Sequence, residues 1–164
     1  MCGVASALFL WRKDPAADRV AIAAAELTAL FGLIVLVTGP LWARKAWGVW
    51  WVWDARLTMT LVMWMVFVSY LLLRRFGGPG SEMLAATVSV FGMALVPFVY
   101  WSVNVWRTMH PKTSVVPTLP PLIREPFWFS VLAMVLLYAL LMTARIHLER
   151  QRAALDGLYL AEED

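Results

Sequence analysis

Four stretches of this chain are each apolar over about the 20 residues needed to cross a bilayer as a helix. They run from Val20 to Gly39, Leu57 to Leu73, Met83 to Trp101 and Phe127 to Ile146. Sheet and irregular backbone cannot replace helix at lipid-facing depth, because every amide there needs an internal partner. The pattern therefore predicts an all-α, polytopic integral membrane bundle with four full transmembrane helices. Composition agrees: 62% of the 164 residues are hydrophobic and 15% charged, against about 45–50% and 25% in soluble domains. Such a chain has too little polar surface to cover its own core.

The N-terminal segment differs from the four spans. Met1 to Trp11 is apolar but only about half a span long, and Arg12-Lys13-Asp14-Pro15 ends it. It lacks the basic start and small-residue cleavage site of a signal peptide. Two readings stand: the tail end of a helix, giving an N-terminal partial helix in the bundle, or a short interfacial segment.

Loop charge sets the orientation. Arg12, Lys13, Arg19, Arg74, Arg75, Arg145, Arg150 and Arg152 fall on one side of the spans. Arg44, Lys45, Arg56, Arg107, Lys112 and Arg124 fall on the other. Eight against six makes the first side cytoplasmic by the positive-inside rule. The whole chain, 1–164, then reads as one membrane domain. It carries an outer tryptophan-rich loop at 40–56, an outer loop rich in proline with one histidine at 102–126, and a cytoplasmic tail at 147–164. That tail is predicted helical until Asp156-Gly157, with Glu162-Glu163-Asp164 as a solvated acidic tip. The net charge of +3, held in loops beside apolar runs, suits lipid headgroups and not nucleic acid. With Cys2 the only cysteine, an internal disulfide and a Cys-x-x-Cys-His haem-attachment site are both excluded.

Function is expected in the outer loops, where the unusual residues collect. Five of the ten tryptophans, Trp42, Trp47, Trp50, Trp51 and Trp53, lie in one short stretch. If that stretch is helical, Trp47, Trp50, Trp51 and Asp54 share a face at i, i+3, i+4 and i+7. Three indoles and a carboxylate then form a wide apolar surface suited to a large planar ligand. Gly48 would allow close approach to the backbone. The plainer alternative is an amphipathic helix resting among the headgroups. In the second loop His110 precedes Pro111. A lone loop histidine is by default a solvated side chain, although neutral imidazole is also a standard haem-iron ligand.

These residues carry a resemblance. Trp47-Gly48-x-Trp50-Trp51-x-Trp53-Asp54 resembles the tryptophan-rich signature of the haem-handling proteins of cytochrome c maturation. The continuation Asp54-Ala55-Arg56-Leu57-Thr58, the approach Leu36 to Trp42, and Tyr100 to His110 are similar to the CcmC branch, haem exporter protein C. The resemblance covers nearly the whole chain. It implies a haem-binding and delivery protein, not an enzyme, in the bacterial inner membrane. It would present haem b, as transient cargo, to the periplasmic haem chaperone CcmE, with the ABC transporter CcmAB as partner. It implies porphyrin contact by Trp47, Gly48, Trp50, Trp51, Trp53 and Asp54, and axial ligation of the iron by His110. Arg56 is a candidate partner for the propionates, since guanidinium matches carboxylate geometry. Its other readings, shared with Arg44 and Lys45, are headgroup contact and a salt bridge to Asp54. Two alternative functions stand beside this: a haem lyase acting directly on apocytochrome, and a truncated structural subunit without haem.

The chain departs from the family pattern at its start. Family members carry a further helix and a first outer loop upstream, with the other axial histidine. Here no histidine precedes His110. A misassigned start, a fragment, or a different second ligand to iron would each account for this. Inside the first span, Glu26 is expected to pair with Arg19 at i−7 or to snorkel toward the boundary. Met109, beside His110, could reach iron, but packing in its loop is the plainer reading, and His147 is an interfacial residue with no assigned role.

Overall fold

The computed structural model describes residues 1–112 and 114–163. Five α-helices follow one another: α1 (Cys2–Arg12), α2 (Pro15–Trp47), α3 (Ala55–Phe76), α4 (Ser81–Val105) and α5 (Pro121–Glu163), with a 3₁₀ turn at Val116–Thr118. Among the described residues no strand occurs. Helices α2 to α5 are each long and apolar enough to cross a membrane, as the four runs require. Each expected span lies within one of them. The helices run past the spans, so the connecting loops shrink to 48–54 and 106–120.

Local chemistry explains most of the boundaries. Asp14 caps α2, its Oδ1 accepting the Ala16 N–H at 2.8 Å, and Pro15 takes the first helical position, where its missing N–H costs nothing. Pro40, expected to open a loop, instead lies inside α2. Pro97 and Pro126 lie inside α4 and α5. Apolar helices tolerate such prolines because neighbouring groups re-satisfy the freed carbonyl. Helix α5 also continues beyond Asp156-Gly157, where the helical part of the tail was expected to end. The acidic tip at 162–164 lies outside the residues whose side chains are described.

Small residues let the helices approach. Ala21, Ala23, Ala24 and Ala25 on α2 and Ala85, Ala86 and Ser89 on α4 are fully buried. A Cβ on Gly92 would stand 3.0 Å from Val66 Cγ1 and 3.1 Å from Phe67 Cζ, which marks a close α3–α4 crossing. The Trp64 indole N–H donates to the Ala29 carbonyl at 2.9 Å and ties α3 to α2. Helix α1 packs on α4 and α2 with Cys2, Gly3, Ala5 and Ser6 buried, so it is part of the bundle and not a surface segment.

The end of the bundle opposite the two long loops is fastened by ion pairs. Arg74 of α3 meets Asp18 of α2 at 2.6 Å. Glu26 pairs with Arg145 of α5, which also holds Glu149 at 2.8 Å. Arg19, the expected partner, is displaced by a residue that only the tertiary fold brings near.

Candidate functional site

The tryptophan stretch is not one helix. Helix α2 ends at Trp47, and Gly48 follows in the left-handed conformation, φ 78°. Glycine closes helices this way because it lacks the Cβ that penalises positive φ. A Cβ built on Gly48 would meet nothing within 4 Å. Its role is therefore the backbone turn, and the expected close approach of another group is absent. Residues 49–53 are non-helical, and Asp54 opens α3 as its N-cap, with the Leu57 N–H donating to Oδ1 at 2.8 Å. Arg44 donates to the Gly48 carbonyl and stacks over Trp50 at 6.0 Å. It fastens this loop and makes no ion pair with Asp54.

The second loop returns to the first. Helix α4 ends at Val105, and the chain folds back so that His110 reaches Asp54. His110 Nδ1 lies 3.3 Å from Asp54 Oδ2 and 3.2 Å from Thr108 Oγ1. The Thr108 hydroxyl donates to Asp54 Oδ2, and its oxygen accepts the His110 backbone N–H at 3.1 Å. The Asp54 side chain is 6% exposed and the His110 side chain 23%. Burial pushes the Asp54 carboxyl up. The Leu57 amide, Thr108 and His110 outweigh it and hold the carboxyl below the usual carboxylate range. An ionised carboxylate accepts only, so in the neutral ring it selects the tautomer with the proton on Nδ1, which leaves Nε2 with a free lone pair.

Aromatic rings surround this pair. Trp47 packs edge-on against His110 with centroids 5.2 Å apart, and Trp42 packs edge-on against Trp47 at 4.8 Å. Trp47, Trp50, Trp51, Asp54 and His110 all line one small cavity of about 160 Å³, with Met109 beside them. The three indoles and the carboxylate expected on one helical face thus do converge, but a bend brings them together. A larger cavity of about 940 Å³ begins at Trp51, Arg56 and His110 and extends between α2, α3 and α5. Trp51 Nε1 is buried and has no hydrogen-bond partner among the described residues. Trp53 is 74% exposed, packs on Trp51 at 5.5 Å, and lines neither cavity.

Two features escaped the sequence reading. Thr108, which bridges Asp54 and His110, had no signal beyond lying two residues before the histidine. The capping role of Asp54 did have one: an acidic residue directly before an apolar helical run is a helix-start pattern.

The family model for CcmC, "Heme exporter protein C", matches residues 1–157. The chain belongs to the CcmC family. It is 33% identical over 163 residues to Heme exporter protein C of Escherichia coli K12, covering 92% of this chain and 64% of that protein. It is 34% identical over 145 residues to Heme exporter protein C of Bradyrhizobium diazoefficiens, covering 87% and 54%. A putative cytochrome c biosynthesis ccmC-like mitochondrial protein of Marchantia polymorpha is 37% identical over 112 residues, covering 68% and 47%. The chain thus spans about half to two-thirds of the length of these curated relatives. Its membership of the CcmC family agrees with the motif-based expectation, as does its helical membrane architecture.

Proposed function

We propose that this CcmC-family chain binds haem between its two outer loops during c-type cytochrome maturation. It would pass that haem to the periplasmic chaperone CcmE, working beside the ABC transporter CcmAB in the bacterial inner membrane. Haem b is cargo in this reading, and the chain binds and releases it without making or breaking covalent bonds. The observation that carries the reading is the His110–Asp54 pair. A carboxylate on Nδ1 fixes the ring and strengthens Nε2 as a ligand, the arrangement that orients metal-binding histidines generally. Trp47 braces the ring from one side.

The cavities suit the rest of such a cargo. Haem supplies an iron that accepts an imidazole lone pair and propionates that carry negative charge. Arg56 and the unpartnered Trp51 N–H both border the larger cavity and would receive a carboxylate. Trp50 and Trp51 offer apolar contact to a ring system.

Purified protein, His110→Ala and a Trp50→Ala/Trp51→Ala double variant test this by haem content and Soret spectrum. The reading requires His110→Ala to lose the wild-type spectrum and the double variant to retain less haem. Unchanged haem in both would rule the site out. Capture of CcmE by the wild type but not by His110→Ala would support delivery to that chaperone.

A further inference from the structure

After α4 the chain must reverse and still bring the imidazole of His110 to both cavities. It leaves α4 extended at Trp106, and no regular structure follows as far as Pro111. A histidine in such a stretch keeps its backbone and ring torsions free unless neighbouring groups remove that freedom. Pro111 restricts His110 from one side, because a residue before proline is pushed toward extended backbone. Thr108 acts from the other side. Its Oγ1 accepts the His110 backbone N–H, two residues on, at 3.1 Å. That bond closes a side-chain turn over Met109.

The same oxygen also serves the ring. It lies 3.2 Å from His110 Nδ1, against 3.3 Å for Asp54 Oδ2. A charge-assisted N–H···O bond spans about 2.7–2.9 Å, so the carboxylate alone leaves the ring some play. Thr108 stands between the two. It donates its hydrogen to Asp54 Oδ2 and presents its lone pairs to the His110 backbone N–H and to Nδ1–H. One hydrogen and two lone pairs are all that a hydroxyl has, and all three are engaged at this histidine and its carboxylate. Thr108 is half-buried and lines neither cavity, so any effect it has on a ligand runs through His110.

We infer that Thr108 is a positioning residue of the site: its hydroxyl sets the backbone and the ring of His110 together. The effect on a ligand rests on the haem-binding reading above, while the placement of His110 is a property of the apo protein. The two are therefore measured separately.

Labelling histidine with nitrogen-15 gives the apo full chain in detergent micelles only two backbone amide signals, from His110 and His147. His147 lies inside α5 and reports the fold. Hydrogen exchange at the His110 amide should be at least tenfold faster in Thr108→Val than in wild type. It should stay within threefold of wild type in Thr108→Ser, with His147 unchanged in both. Haemin affinity, read by quenching of tryptophan fluorescence, should fall about fivefold in Thr108→Val, the scale of one net hydrogen bond. Thr108→Ser should keep it within twofold. On a His110→Ala background the valine substitution should change the residual affinity less than twofold, because its target is gone. Wild-type exchange at His110 in Thr108→Val would overturn the inference, as would wild-type haemin affinity in that variant. So would an affinity loss that persists without His110. Thr108→Ala must repeat the valine result, and a loss confined to valine would mean a misfit of its methyl group and also overturn the inference. If His110→Ala keeps the wild-type haem spectrum, the haem-binding reading itself fails, and the exchange measurement alone then decides the placement of His110.

Discussion

Asp54→Asn separates two tasks that one side chain performs. Oδ1 accepts the Leu57 N–H and caps α3, while Oδ2 holds Thr108 and His110. Asparagine caps a helix about as well as aspartate does, so the start of α3 should survive. What disappears is the anionic acceptor opposite Nδ1. Removing the outer partner of a metal-binding histidine costs about 10–100-fold in affinity, or about 1.4–2.8 kcal/mol. Asp54→Ala loses the cap as well, adding about 1 kcal/mol of destabilisation. Haemin titration reads the first effect and thermal melting of the apo protein reads the second. Asp54→Asn should melt near wild type but bind at least tenfold more weakly, and Asp54→Ala should be impaired in both. Wild-type affinity in Asp54→Asn would refute the orienting role. Equal losses of melting temperature in the two variants would refute the division between the oxygens.

Three further outcomes are expected. The Asp54 carboxyl is held below its ordinary range, so its contribution is complete above about pH 4 and is lost as pH falls through the depressed folded value; acid melting of the apo protein should steepen below about pH 4 in wild type and be blunted in Asp54→Asn. Gly48→Ala meets no steric obstacle but must adopt positive φ, which costs about 1–2 kcal/mol; Gly48→Asn should recover part of the lost melting temperature, and an alanine variant as stable as wild type would contradict the left-handed cap. Trp47→Ala removes the edge contact to His110, worth about 0.5–1.5 kcal/mol, and should weaken haemin binding several-fold, whereas Trp53→Ala, at a largely exposed position, should shift it less than twofold.

The spans were legible because lipid imposes a length on apolar runs, and no tertiary detail is needed to see it. The ends of those runs were harder. Pro40 looked like a helix stop, but an apolar helix carries a proline at modest cost, and α2 continues to Trp47. The helical spacing of Trp47, Trp50, Trp51 and Asp54 was read as one face. Gly48 and Asp54 already spelled a helix end and a helix start, and that local chemistry prevails over periodicity. The same residues still share a cavity, so the grouping survived while its mechanism changed. Partners distant in sequence were beyond reach: Arg145 lies 119 residues from Glu26, and Thr108 lies 54 from Asp54. Such contacts are set by how helices pack, and a single sequence carries no direct mark of them.

The two oxygens of Asp54 divide their work between a helix and the neighbouring loop. The cap bond at Oδ1 belongs to α3, while Thr108 and His110 both hang on Oδ2. The contacts to the second loop can therefore be broken without removing the hydrogen bond that caps α3. If the chain binds and releases haem as proposed, the contact that holds its histidine lies outside the helical bundle that supports it.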